Sequence, residues 1–185
     1  MIPFPPDATD DDPGVVARAA TADDDSRLVL RPLVPADAAE LRRIHLTPEV
    51  RRWWDAPADD FPWDEPNSTR CTIEFDGRVA GLIQYSEETE PKYRHAVIDL
   101  FLDPSLHGRG LGAAVITRVV RHLIVERSHH RITIDPAVDN VVAIRCYEKV
   151  GFRRVGVMRS YEHDVDGDGW HDGLLMELLA TDDRG

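Results

Sequence analysis

A chain of 185 residues with 42% apolar and 30% charged side chains is sized for one globular domain with a core of its own. Its formal net charge of −12 disfavours a nucleic-acid partner and suits a cationic small molecule. No apolar run approaches the ~18 residues of a membrane span, and the opening MIPFPPDATDDD lacks both the basic start and the apolar stretch of a secretory signal, so a cytoplasmic, membrane-free protein is expected.

Residues 1–25 hold seven aspartates against Arg18, half of the whole imbalance. That Pro-, Ala- and Asp-rich composition buries too little apolar area to offset the entropy of ordering it. Residues 1–26 are therefore expected to be a flexible acidic tail, and 27–181 one domain. From Arg27 the alternation RLVLRPL predicts a strand, and Pro35 opens a helix with Ala38, Leu41 and Ile44 on one face. A short helix and a Pro-broken loop rich in tryptophan and carboxylates follow, up to about residue 69. Residues 71–85 read as a hairpin turning at Asp76-Gly77, a pair suited to two positive φ angles.

HAVIDLFL (95–102) has the continuous apolar character of a central strand, broken by Asp99. Beyond it, LHGRGLGAAV leads into a helical stripe of Leu111, Val115, Ile116, Val119 and Leu123 ending near Arg127. RITID (131–135) is a strand, Asn140 starts a helix that Gly151 closes, and two final strands are joined by a polar loop. The order β-α-α-β-β-β-α-β-α-β-β, with no internal repeat, implies a mixed sheet with helices on both faces.

A glycine run between strand and helix exposes backbone amides at the positive end of a helix dipole, a site for an anion and most naturally a phosphate. A nucleotide-triphosphatase loop fails, because Ala113 and Ala114 stand where Lys-Ser/Thr is needed. A dinucleotide fingerprint matches in part through Gly108, Gly110, Ala113 and Asp135, but the strand is five residues away and no second mononucleotide half follows. A ligand-free glycine turn is the bland alternative.

The segments LFLDPSLHGRGLGAAV and NVVAIRCYEKVGF together resemble the Gcn5-related N-acetyltransferases (GNAT). Gly110 and Gly112 match the pyrophosphate loop Q/R-x-x-G-x-G/A, with His107 in place of its Gln or Arg. Trp53-Trp54, GLIQY (81–85), Asp99 and ITIDPAVDNVVAIRCYEKVGFRRVG look most like the aminoglycoside acetyltransferases acting on the 6′-amine. The resemblance implies an α/β fold with a central, mostly antiparallel sheet of about seven strands, and acetyl-CoA as the acetyl donor.

It also implies roles. Leu100, Phe101 and Leu102 would meet the pantetheine arm, and His107, Gly108, Arg109, Gly110, Leu111, Gly112 and Ala113 the diphosphate, with Asn140, Ala143 and Tyr147 completing the cofactor contacts. Asp99 would accept the proton of the attacking amine, and Tyr147 would protonate the leaving thiolate. Trp53, Trp54, Asp55, Gln84, Tyr85, Glu87 and Asp99 would receive a small cationic amine, with an aminoglycoside as the leading candidate, and Asp59, Asp60, Asp64 and Glu65 would add negative charge. Each has a structural alternative: Asp99 a buried ion partner, Tyr147 a packed aromatic, Asn140 a helix cap, and the acidic loop a solvated surface.

Other acceptors share the scaffold, namely a protein N-terminus, a siderophore precursor or another metabolite amine. A CoA-binding module without turnover is the reading from a different class. Cys71 and Cys146 have no metal or activated-nucleophile spacing, so two buried free thiols and a direct, non-covalent transfer are expected. DVDGDGWHD (164–172) imitates a calcium loop but has Leu175 where the bidentate Glu belongs, and no metal is expected. Monomer and homodimer both remain open.

Overall fold

The computed structural model describes residues 27–164 and 167–182. The expected tail and Asp166 of the calcium-like run lie outside them. In chain order the elements are β1 (Leu28–Pro32), α1 (Ala38–His45), α2 (Pro48–Arg51), β2 (Thr69–Phe75), β3 (Arg78–Glu88), β4 (His95–Leu102), α3 (Leu111–Arg121), β5 (Arg131–Ile134), α4 (Val141–Val150), β6 (Arg153–His163) and β7 (Trp170–Leu179). This is the element order expected from hydrophobic periodicity, and a single π turn, His122–Glu126, extends α3.

The strands make one seven-stranded sheet in the order β1-β2-β3-β4-β5-β7-β6, antiparallel everywhere except between β4 and β5. Asp76 and Gly77 both take positive φ, 54° and 71°, which turns β2 into β3 with the twist a hairpin needs. Strand alternation divides the core in two. Ile98, Ile132 and Met176 point to one face, where Ile116, Val119 and Leu123 of the α3 segment cover them. Leu82 and Phe101 point to the other and pack with Leu41, Ile44, Val50 and Phe61. Each such side chain, fully buried, is worth roughly 1.5–3 kcal/mol.

α1 is fixed to the sheet by one buried carboxylate. Asp37 accepts from Arg31 (2.7 and 2.8 Å), Thr72 (2.7 Å) and the Val34 amide (3.0 Å). These donors, Arg31 foremost, hold its pKa down to about 2. His45 is buried on the same side, between the rings of Trp54, Phe61 and Phe101 at 5.0–5.7 Å.

The ladder between β3 and β4 runs unbroken through eight residue pairs, whereas β4 and β5 pair only at Ala96↔Ile132 and Val97↔Thr133. Beyond Val97 the two strands part, and the sheet opens. Among the described residues no helix is long and apolar enough to cross a membrane.

Candidate active site

The opening between β4 and β5 has a polar lining supplied by the backbone. The Asp103 amide donates to Ala80 carbonyl at 2.8 Å, so in an antiparallel pair alternate β4 residues 97, 99 and 101 bond to β3. Leu100 and Leu102 then turn their amides and carbonyls into the split. In the unliganded fold the Leu100 amide donates to Asp99 Oδ1 at 2.9 Å, and His107 Nε2 donates to the Leu102 carbonyl at 3.2 Å. A carbonyl only accepts, so Nε2 is the protonated nitrogen of His107. Phe101, expected beside the cofactor, instead directs its backbone to β3 and its ring into the α1-side core.

The glycine loop ends at this opening. Gly108 and Gly110 take φ of 75° and 80°, values that other residues adopt with strain, and a Cβ on either would meet nothing within 4 Å. Their role is conformational, and the space above them is open. Gly110 occupies the N-cap of α3 without a side-chain cap. The first helical bond runs from Ala114 to Gly110 at 3.1 Å, which leaves the amides of Leu111, Gly112 and Ala113 outside the ladder. Gly112 serves a different purpose: a Cβ there would stand 3.4 Å from Cys146 Sγ, so it lets α3 and α4 approach. Arg109 lies over the Phe75 ring at 5.3 Å. Three free amides at a helix N-terminus, reached through open space, fit a diphosphate, and the amide edge of β4 fits the amide-bearing arm of a CoA thioester.

α4 begins at Asn140, whose side chain accepts from the Ala143 amide at 3.2 Å, so its capping duty is realised. Tyr147 is buried on this helix, 6.3 Å from Phe152. Burial first, and then the charge of Asp99, push its pKa far above the usual phenol value, so the hydroxyl keeps its proton at any physiological pH. Cys146 is half-buried rather than buried as expected, because its thiol lines the α3–α4 contact.

Asp99 belongs to the opposite face. Tyr147 is packed on the α3/α4 side of the sheet, and Asp99 shares the α1 side with Phe101 and Gln84. Burial and the neighbouring Asp135 push its pKa up to about 8, against the pull of the Leu100 amide and Arg70. Asp99 is nonetheless exposed to solvent. The shift therefore attains its full extent only when a ligand displaces that water.

The acceptor-side residues divide sharply. Gln84 stands directly across from Asp99, and Arg70 directly across from Gln84. Tyr85 and Glu87 do not join them. The pleat turns both to the α3 side, where the Tyr85 hydroxyl is 3.5 Å from His122 Nε2 and Glu87 holds Arg127 (3.0 Å) and His129 (2.6 Å). Neither can line a pocket with Asp99. Of the tryptophans, Trp54 packs edge-on against Phe101 at 5.2 Å as part of the core, and Asp55, Asp59 and Asp60 are exposed. Asp64 is an ion partner of Arg70. Glu65 is exposed.

Trp53, stacked under Arg52 at 4.6 Å, lines a cleft of about 760 Å³ with Arg52, Val138, Asp139, Asp172 and His171. His171 faces Glu162 and Asp164, each at 3.2 Å. Tyr161 donates to Asp135 at 2.5 Å. These β5-to-β7 carboxylates were not singled out for the acceptor from sequence. The signal for them was topological, since β7 returns beside β5 and β6 lies beside β7.

Segments of known proteins share this arrangement. Over 74 residues the chain is 38% identical to the aminoglycoside N(6′)-acetyltransferase type 1 of Klebsiella pneumoniae, a match covering 40% of this chain and 36% of that protein. The L-amino acid N-acetyltransferase AaaT of Escherichia coli is 28% identical over 144 residues, covering 74% of this chain and 89% of its own. The spermidine N-acetyltransferase of Vibrio cholerae, solved with CoA and spermine, superimposes with a TM-score of 0.72 at 20% identity, over 85% of this chain and 98% of that one. The profile of the acetyltransferase (GNAT) family matches residues 38–152, more than half of the chain and every element from α1 to the end of α4. The chain belongs to the GNAT acetyltransferase family.

Proposed function

We propose that the protein, with residues 27–181 as its catalytic domain, is an acetyl-CoA-dependent N-acetyltransferase of the cytoplasm acting on a primary amine of a cationic small molecule. The 6′-amine of an aminoglycoside is the leading acceptor. One observation carries the reading: where β4 and β5 stop pairing, the phenol of Tyr147, buried on the α3/α4 side, lies near enough to Asp99 of β4 to feel its charge. A carboxylate on one side and a firmly protonated phenol on the other are what an amine acylation needs at its two ends.

Acetyl-CoA supplies the activated acyl carbon and a thiolate leaving group. The amides of Leu111, Gly112 and Ala113, with the α3 dipole behind them, hold its diphosphate, and the Leu100 and Leu102 backbone edge takes the pantetheine arm. An amine attacks only with its lone pair free, so Asp99 removes the ammonium proton, directly or through water. The Leu100 amide, released from Asp99, stabilises negative charge on the acyl oxygen. Tyr147 then donates its proton to the departing sulfur and regains one from the newly acylated nitrogen. Transfer is direct, because burial holds the Cys71 thiol up at about 11 and raises that of Cys146, leaving neither as a nucleophile at neutral pH.

Asp135 and Glu162 near Asp99, and Asp139, Asp164 and Asp172 in the cleft beside Trp53, support a cationic acceptor. The aminoglycoside relative supports its identity over the matched segment. A second reading rests on Arg51 and Arg52 in the wall of the same cleft, which favour an acceptor carrying a carboxylate, such as an α-amino acid. The test is CoA-thiol release from acetyl-CoA with aminoglycosides, polyamines, amino acids and peptides offered in parallel. Release is expected with the aminoglycosides. Release with none of these amines, despite measurable CoA binding, would make the protein a binding module.

A further inference from the structure

Arg70, Gln84 and Asp99 form one row across β2, β3 and β4, in register and on one face. The Arg70 side chain is only 6% exposed. Its Nε donates to Gln84 Oε1 at 2.7 Å, and its Nη1 donates to the Pro62 carbonyl at 2.8 Å and to Asp64. A guanidinium has no acceptor atom, so the Gln84 atom facing it must be oxygen. The Gln84 carboxamide is thereby oriented with its oxygen on Arg70 and its N–H donors on the other side, and the residue paired with Gln84 across β3–β4 is Asp99.

We infer that Arg70 is a positioning residue: by holding the Gln84 carbonyl it fixes a hydrogen-bond donor beside Asp99 and leaves that carboxylate one free oxygen for the amine. The inference rests on the reading of Asp99 as the base. It explains why a strongly anchored cation sits behind the site without touching the split. The groups facing Asp99 are the Leu100 amide, Arg70 through Gln84, Asp135 after β5, Glu162 on β6 and Tyr147 on α4. On the α1 side, Asp64 and His45 lie behind Arg70. Among these, Arg70 is the cation that favours the ionised carboxylate, while Asp135 and Glu162 oppose it.

The experiment compares Arg70→Met, Arg70→Lys, Gln84→Met and the double Arg70→Met/Gln84→Met with the parent chain. Losing the cation and the oriented donor raises the proton affinity of Asp99. In Arg70→Met the rising limb of the kcat/KM–pH profile should therefore move upward by about one unit, kcat should fall by about tenfold, and KM for acetyl-CoA should stay unchanged. Gln84→Met should move the limb in the same direction, and carries the test if Arg70→Met does not fold. The double variant should move it no further than Arg70→Met, and lysine should restore most of the limb but only part of kcat.

A limb unmoved in both single variants, or effects that multiply independently, would overturn the inference. Carboxyl-13C titration of Asp99 in the parent and the variants keeps this distinct from the general-base reading. Full turnover in Asp99→Asn removes the base, whereas an unmoved Asp99 midpoint removes the positioning role.

Discussion

The two sides of β4 make opposite uses of the same strand. Toward β3 every residue from His95 to Leu102 has a partner, and the α1-side core closes over the ladder. Toward β5 pairing stops after two residues. Backbone groups left unpaired inside a protein are costly, so a sheet that stops pairing in its middle is incomplete without a ligand or solvent to satisfy them. The paired side holds the fold together. The unpaired side is where the β4 backbone edge is left for a ligand, and where the proposed site lies.

Replacing the carboxylate on the open side should separate activity from stability most widely. Asp99→Asn keeps the shape and removes the base, and turnover should fall by roughly 10²–10⁴-fold. Stability should hardly move. Asp99 is exposed to solvent in the free protein, so the burial that raises its pKa acts only weakly there. Asp99→Asn is expected to melt within about a degree or two of the parent. A drop in Tm together with normal turnover would mean that Asp99 belongs to the closed side of the comparison.

Gly81 probes that closed side. A Cβ there would lie 2.1 Å from the Phe101 carbonyl oxygen, a backbone atom that no rotamer change can move. Gly81→Ala must pry β3 from β4, and an overpacking cost of about 3 kcal/mol is expected in urea denaturation. The same substitution at Gly156, where a Cβ would meet nothing within 4 Å, is the control. Equal stability of the two alanine variants would show that the ladder is not closed as described.

How much of this could be read from the sequence depended on range. Periodicity and turn chemistry act within a few residues, and Asp76-Gly77, the α3 stripe and the Asn140 cap were all legible from them. Asp99 was legible as a charge interrupting an apolar strand. Tyr85 and Glu87 were misplaced because they lie one and three residues from Gln84, and an odd separation on a strand means the opposite face. Their side relative to Asp99 is set by the β3–β4 register, which the charged connection 89–94 does not reveal and which a one-residue slip would reverse. Arg70 was missed for a related reason: its partners Pro62, Asp64 and Gln84 come together only when the tryptophan loop folds back on β2. Asp135 was noticed only as part of a dinucleotide fingerprint, since its partner Tyr161 arrives from a strand 26 residues later.

The smallest effect is expected where the closed and open sides share a residue. Asn140 caps α4 through its Oδ1, which leaves its side-chain N–H groups as the donors a cofactor could use. Asn140→Ala removes both and should cost about 1 kcal/mol of stability, the usual worth of an N-cap. Asn140→Asp restores an equally good cap acceptor but no N–H donor, so it should recover the parent Tm. If the nitrogen binds the pantetheine arm, KM for acetyl-CoA rises a few-fold in both variants, as loss of one neutral hydrogen bond requires. A KM that recovers with Tm in the aspartate variant would assign Asn140 to the helix alone.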